Sequence, residues 1–502
     1  MLNICRELFD GWNKDVRYCH WKSNEHLGEG LNGKTDLDVF VFPDDQMQAE
    51  AHLVECKYIK FTPQASSRYP MVDEWIGFDD ATGKLVHIHL HYRIITGTKF
   101  CKEYCFPVDR EMIENRVLDK ATNVYISSPE LELIILFARI ILKASNKQRF
   151  STLGYQDEVN YLISHLDKSK LRILCVSLLE NDGEPYFNIV TKGQLQKRDW
   201  ADLKKCVYHW LNPHKNRSGI NCFIRSKYYW FLLYSDLFIE KFFHIPIISK
   251  KTLAGAQISI CFIGQDGSGK STLSDQIEKW LRWKIEAHRF YLGSGEHLRS
   301  PIKWLMNKAS LFRNKRTHSQ RECGNIPSTV SSSENRCKKR GLTTWLGMLV
   351  SCYEFRNIAK RAFKEIKKAD LYSKKGAISI FDRFPQVQFD GIYDGPKIRP
   401  IYIKKGYSNW FVNRMALQEE RYLKAIQNYQ PTIVFKLLLS PEESIRRKPF
   451  ENIDAVKKKH EITKKLEFPT SEVFVLDATQ DYNSEILTVK KLIWQCFLKN
   501  QS

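Results

Sequence analysis

The period of the apolar positions changes twice along the chain, and each change marks a different kind of structure. Between residues 1 and 125, short stretches alternate with period two, as in "TDLDVFVF" (35–42) and "KLVHIHLHYRI" (84–94). Successive side chains of a strand point to opposite faces, so this alternation predicts half-buried strands. From about 128 to 248, apolar residues recur three and four apart, in "SPELELIILFARIILKA", "DWADLKKCVYHWL" and the aromatic stretch 228–248. That spacing is one face of a helix. "SPEL" opens the first of these helices, with Ser at the cap and Pro at the first helical position. The basic break "HIPIISKKTLAGAQ" puts a boundary near 250. Beyond it strands and helices alternate: "AQISICFIG", "KSTLSDQIEKWLRWK", "GAISIF" (376–381), "PTIVFKLLL" (431–439) and "SEVFVLDA" (471–478). This alternation predicts a parallel sheet wrapped by helices. One polar, Ser-rich and basic stretch, 313–341, has no period and reads as a mobile loop. The expected class is α/β in three parts: an α+β domain at 1–125, a helical connector at 126–250 and a parallel-sheet domain at 251–502.

With 502 residues, 43% of them hydrophobic, the chain can bury the cores of two or three domains. Its longest apolar runs, 131–142 and 228–248, are interrupted by Glu132 and Arg139, and by Asp236, Glu240 and Lys241. Neither supplies the roughly 20 uninterrupted apolar residues of a membrane span. Both read as buried or amphipathic helices, the aromatic one as packed between domains in preference to touching a membrane. Thirteen cysteines without a C-x-x-C pair, and an N-terminus without an apolar signal core, point to a reducing cytoplasm. The net charge of +21 favours anionic partners without choosing among nucleotides, sugar phosphates, glycans, nucleic acid or a membrane surface. Nucleic acid is disfavoured, because the arginines of 313–341 have no interleaved aromatics to stack on bases.

The candidate chemistry centres on "CFIGQDGSGKSTL" (261–273), which holds G-x-x-x-x-G-K-S between a predicted strand and a predicted helix. Gly264, Gly267 and Gly269 let the backbone curl so that the amides of Gln265, Asp266, Ser268 and their neighbours point at phosphate oxygens. The helix N-terminus behind them adds a positive dipole end. Lys270 reaches the β- and γ-phosphates of such a ligand and Ser271, with Thr272 beside it, holds Mg²⁺. Asp382 and Arg383, at the exit of a later strand, supply a carboxylate for the metal shell and a planar fork for an acceptor phosphate.

With "GQDGSGKST", "DRF" (382–384) and "SPEESIRRK" (440–448) in this order, the sequence over 255–500 resembles the thymidylate kinase family of P-loop nucleoside monophosphate kinases. The resemblance implies ATP and Mg²⁺ as cofactors and a phosphorylated small molecule as acceptor. It implies that Arg383 contacts the acceptor phosphate, Asp266 an acceptor hydroxyl, and Arg446 and Arg447 the transferring phosphoryl group. Arg356, on the helix "CYEFRNIAKRAF", stands where the family often has a substrate arginine, and "VLDATQ" (475–480) resembles the loop that lines adenine. Because of two departures, the resemblance does not support thymidylate as the acceptor. Ile263 replaces a glutamate before the first glycine, and "PQVQFDGIYDGPKI" (385–398) replaces the thymine-reading stretch, so that Asp390, Asp394 and Lys397 line the acceptor region. Proteins of this mixture resemble accessories of surface-polysaccharide synthesis, with a sugar or glycan phosphate as acceptor.

"HWKSNEHLGEGLNGKTDLDVFV" (20–41) resembles the nucleotidyltransferase signature, a G-S followed by D-h-D-h, with Lys22 in place of glycine and Ser23 at the distance of a phosphate contact. Asp36 and Asp38, two apart on a strand, face one side and can share Mg²⁺. Such enzymes take a third carboxylate from a later strand. The candidate strand offers His87, His89 and His91 on one face instead, as metal ligands or as a stand-in for the acid. Two alternatives remain open: a nucleotide-dependent switch or nucleic-acid-associated ATPase, and a first domain that binds without catalysis.

Overall fold

The computed structural model describes residues 1–143, 154–192, 195–243, 247–253, 255–293, 333–392, 394–447 and 453–500. They form two compact units, Met1–Gly255 with Leu487–Ser502, and Ala256–Ile486.

The first unit holds strands β1 (Tyr18–His20), β2 (Leu37–Val41), β3 (Ile59–Phe61), β4 (Val72–Asp79) and β5 (Lys84–His91). After a small ribbon, β6 (Ile95–Thr96) and β7 (Tyr104–Cys105), come β8 (Val117–Asp119) and β9 (Val124–Ile126). Its mixed sheet runs β3-β4-β5-β2-β1-β9-β8. The alternation along β5 is realised in space: Val86, Ile88 and Leu90 join the core under the helix Asn3–Asp15, which contributes Leu8, Phe9 and Trp12. The three intervening histidines therefore take the other face.

A second core of this unit surrounds the helix Pro129–Lys143, buried all round from Glu130 to Leu142. The helices Lys168–Leu179, Gly183–Val190 and Lys197–Leu211 pack there through Leu171, Tyr186 and Val207. Burying Glu132 in such a place demands partners. The Asn24 backbone N–H and side-chain amide donate to it at 3.2 and 2.5 Å, and Ser127 Oγ donates at 3.3 Å. The aromatic helix expected at 228–248 belongs to a longer one, Gly219–Phe243. Of its described side chains, Tyr228, Phe231 and Tyr234 are exposed. Among the described residues no helix is long and apolar enough to cross a membrane.

The second unit is a parallel five-stranded sheet of β10 (Ser259–Gly264), β11 (Ala287–Tyr291), β12 (Ile378–Asp382), β13 (Ile433–Leu438) and β14 (Glu472–Asp477), in the order β11-β12-β10-β13-β14. The strand β11, "AHRFY", is too polar to declare itself in the sequence and pairs all along β12. The helices Lys270–Leu281, Ser333–Lys374, Trp410–Ile426 and Ile453–Lys465 connect the strands. The loop expected at 313–341 is corrected in part: residues 333–341 are helical, while 313–332 lie outside the described residues. The final helix, Tyr482–Lys499, belongs from Leu487 onward to the first unit, where the rings of Trp494 and Phe78 have centroids 5.9 Å apart.

Burial raises the Glu132 carboxyl to about 8, helped by Glu158 and opposed by Asn24. The folded protein then holds a proton that the unfolded chain releases near 4.5, so this group's contribution is full below that pH and is lost as pH rises toward 8. Stability is expected to fall over this window. Glu132→Gln is expected to reduce the slope by up to one proton, about 1.4 kcal/mol per pH unit, in denaturant titrations across pH 5–8.

Candidate functional site

The phosphate loop joins β10 to the helix Lys270–Leu281. Gly267 and Gly269 have φ of 85° and 83°, the left-handed conformation that favours glycine. Gly264 is required for space, since a Cβ there would lie 2.5 Å from the Leu437 carbonyl oxygen. Lys270 is buried, and its Nζ donates to the Gln265 carbonyl at 2.6 Å. Ser271 and Thr272 are exposed at the mouth of the loop.

Parallel pairing of β10 and β12 sets Phe262 beside Asp382, so the segments that follow both strands leave from the same edge of the sheet. Asp382 is buried and its Oδ1 has no hydrogen-bond partner. Arg289 of β11 stands 4.0 Å from its other oxygen and also donates to the Ser271 carbonyl at 3.1 Å. Arg383 has φ of 73°, and its Nη2 donates to Asp266 Oδ1 at 3.2 Å. Lys459, from the helix Ile453–Lys465, pairs with the other Asp266 oxygen. Burial alone would raise the Asp266 carboxyl, but Lys459, Lys270 and Arg383 hold it down at about 2.

The short helix Pro441–Arg447 meets the loop from the other side. Ser444 Oγ donates to the Asp266 carbonyl at 3.0 Å. Arg447 donates to the Gly267 carbonyl and to the Ala478 carbonyl, each at 3.2 Å, which ties "VLDATQ" to the loop. Arg446 is exposed, its Nε 2.7 Å from Glu443 Oε2. Arg356 is not brought to the loop: it donates to Gln418 at 2.8 Å and Asn357 at 2.7 Å. Another arginine of that helix, Arg361, donates to the Gly293 carbonyl at 3.4 Å, where Gly293 packs against the Arg383 side chain. Arg361 lies five residues on from Arg356 in a run of basic positions, and the sequence alone offers nothing to separate them. Asp394 and Lys397 line a small cavity with Phe355, Ala359 and Pro385, whereas Asp390 pairs with Lys404 at 2.9 Å.

The first unit gathers a second set of groups. Glu74 on β4 pairs in register with His89 on β5, and His89 with Asp38 on β2, so the three lie in one row across three strands. His89 Nε2 is 3.0 Å from Glu74 and its Nδ1 is 3.2 Å from Asp38. The fully buried His87 bridges Asp36 at 2.8 Å and Glu74 at 2.7 Å. His91 Nε2 lies 3.5 Å from Asp38. Glu74 thus joins Asp36 and Asp38 from β4, not from the histidine strand, and the sequence alone did not single it out because "VDEWIGFD" carries three acids with nothing to separate them.

Burial opposes charge on Asp38 and Glu74, yet Lys22 and His89 for the first, and His89 and His87 for the second, hold both well below the usual carboxylate range. His89 is correspondingly held up at about 9 by Glu74 and Asp38 against its burial, while burial pushes His91 down to about 4. Lys22, where the signature wants glycine, places Nζ 2.7 Å from Asp38. Ser23 is turned away and donates to Glu158 at 3.4 Å. The cleft above the row encloses about 290 Å³ and is rimmed by Lys22, Lys102, Lys250 and Lys251.

No protein-family model matches the chain. It is 25% identical over 243 residues to YghR of Escherichia coli K12, named an uncharacterized ATP-binding protein, an alignment covering 47% of this chain and 86% of that one. With YghS of the same strain, also named an uncharacterized ATP-binding protein, it shares 27% identity over 224 residues, 43% of this chain and 84% of that one. Among solved structures, a thymidylate kinase from Ehrlichia chaffeensis aligns with 47% of this chain and 97% of its own, at 19% identity and a TM-score of 0.24. A deoxyadenosine kinase from M. mycoides with bound dATP aligns with 47% of this chain and 99% of its own, at 16% identity and a TM-score of 0.27. Scores of this size add nothing to the topology traced above.

Gly264→Ala is expected to destabilise the Ala256–Ile486 unit by about 1–3 kcal/mol, because the carbonyl it strikes belongs to a central strand that cannot give way. Chemical denaturation of the full chain checks this.

Proposed function

We propose that the Ala256–Ile486 unit is an ATP-dependent phosphotransferase whose acceptor is a phosphorylated small molecule, a nucleoside monophosphate or a phosphorylated sugar or glycan. The observation that carries this reading is the contact of Arg383 with Asp266, which holds a guanidinium against the phosphate loop. A guanidinium held there can take a second anion beside the one the loop binds, as an acceptor phosphate requires. The ATP-binding names of YghR and YghS support the choice of nucleotide.

Phosphoryl transfer needs little covalent help, so the work falls to positioning and charge. Loop amides and Lys270 hold the triphosphate, and Arg383 orients the acceptor phosphate, with Arg361 behind it. Arg447, at the Gly267 carbonyl, and Arg446 one residue before it would meet charge on the transferring group. The residues fit Mg²⁺: Asp382 offers a buried oxygen without a hydrogen bond and Ser271 an exposed hydroxyl on the loop, both hard oxygen donors. Bound there, the ion would neutralise phosphate charge.

For the Met1–Gly255 part the reading is a nucleotidyltransferase-like domain, supported by Asp36, Asp38 and Glu74 on the floor of a lysine-rimmed cleft. The Lys22–Asp38 ion pair and the histidines already engaged by carboxylates favour a role in binding an anionic ligand over catalysis.

Purified protein is expected to bind MgATP in calorimetry, and Lys270→Ala to lower kcat/KM by about a hundredfold or more. Arg383→Ala is expected to keep ATP affinity but lose transfer to every active member of a panel of nucleoside monophosphates and sugar phosphates. Brisk ATP hydrolysis without an acceptor, unchanged by Arg383→Ala, would sink the kinase reading in favour of a switch or ATPase.

A further inference from the structure

The helix Gly219–Phe243 carries an apolar stripe that the fold leaves bare. Ile220, Phe223, Ile224, Tyr228, Phe231 and Tyr234 are 74%, 65%, 60%, 56%, 68% and 73% exposed. They recur at intervals of three and four, so they share one helical face, about 21 Å long at 1.5 Å per residue. Scattered exposed hydrophobes are ordinary on a protein surface, but a contiguous stripe of large side chains marks an interaction surface.

The other face of the same helix is bolted down. Cys222 is buried, and its carbonyl accepts from Cys101 Sγ at 3.2 Å. Arg225 Nε donates to the Phe100 carbonyl at 2.8 Å and Tyr229 Oη to the Ala65 carbonyl at 3.1 Å. The Phe100 ring lies 5.7 Å from that of Tyr229. Rolling the helix to hide its stripe would break each of these contacts.

Charge narrows the choice of occupant. No Asp or Glu falls between Ile220 and Tyr234, and cations stand beside the stripe: Lys227 Nζ lies 5.6 Å from the centre of the Phe223 ring, and Arg217 lines a surface pocket with Ile224 and Tyr228. Lys99 adds a further cation, its Nζ 4.7 Å from the centre of the Trp230 ring. A second copy docked about a two-fold axis would set Lys227, Arg217 and Lys99 against their own images, which disfavours self-association. A crossing helix is excluded among the described residues. Exposed aromatics beside lysine and arginine, without acids, are what an anionic lipid surface accepts: rings enter the boundary between headgroups and acyl chains, and cations meet the phosphates.

We propose that the Ile220–Tyr234 face docks the protein on the surface of an anionic bilayer, lying in the interface without crossing it. The test is flotation of the full chain with phosphatidylcholine vesicles and with phosphatidylcholine–phosphatidylglycerol vesicles. Flotation is expected only with the mixed vesicles and is expected to weaken at high salt, which screens the lysines and arginines. The double substitution Phe223→Ser with Phe231→Ser is expected to lower the bound fraction about tenfold or more. Its thermal midpoint should stay unchanged, because both side chains are exposed. Arg217→Glu with Lys227→Glu, which leaves the stripe intact, is expected to abolish the preference for phosphatidylglycerol. The proposal is overturned if the wild-type chain does not float with mixed vesicles, or if neither double substitution alters flotation. A dimer in sedimentation velocity that Phe223→Ser with Phe231→Ser dissociates would assign the face to a second copy. Capture of polyglutamate without flotation would assign it to an acidic protein. Either result overturns the lipid reading.

Discussion

Parallel pairing of β10 with β12 is the constraint on which the chemistry of the second unit depends. Strands that run the same way in register finish together, and whatever follows them gathers at one edge of the sheet. Phe262 opposite Asp382 therefore sets the phosphate loop, the Asp382 carboxylate and the Arg383 guanidinium within reach of one another, although more than a hundred residues separate them. A slip of one residue would turn Asp382 to the opposite face and take Arg383 away from Asp266. The buried apolar residues of both strands, Ile260, Phe262, Ile378 and Ile380 among them, hold that register together with the backbone ladder.

Both units solve the same electrostatic problem, that of keeping carboxylates charged out of water. In the second, Asp266 stays ionised because Lys459 and Arg383 flank it, so the loop is pre-set by cations from elements on either side. In the first, Asp38 and Glu74 share His89, and His87 ties Glu74 to Asp36. Buried pairs of this kind contribute little net stability, since desolvation offsets most of the attraction, but removing one partner leaves a bare charge behind. Such clusters therefore specify geometry more than they add stability. That is the property wanted where an anionic ligand must displace protein contacts in order to bind.

The legible parts of the chain were those whose physical signal is local. Glycines spaced around a lysine and serine, between an apolar strand and an amphipathic helix, state a phosphate loop within a dozen residues. The alternation of His87, His89 and His91 with Val86, Ile88 and Leu90 states which face they take, because the period of a strand is a backbone property. The helix Pro129–Lys143 and the strands β10, β12, β13 and β14 were legible for the same reason. The polar strand β11 was not, since it is held by pairing to a neighbour remote in sequence and not by its own pattern.

What the sequence determined by itself was the presence of the loop, the sidedness of the strand residues and the division into a mixed half and a parallel half. Which carboxylate completes the histidine row, that Arg361 and not Arg356 stands beside Gly293 and Arg383, and that Lys22 covers Asp38 were decided only by the tertiary structure. The same is true of the apolar stripe on the helix Gly219–Phe243, which looks like core until the contacts of its other face are known. The physical reason is common to all four. A local pattern says which way a side chain points, but its partner is set by strand register and helix packing between segments whose separation along the chain carries no record of their distance in space.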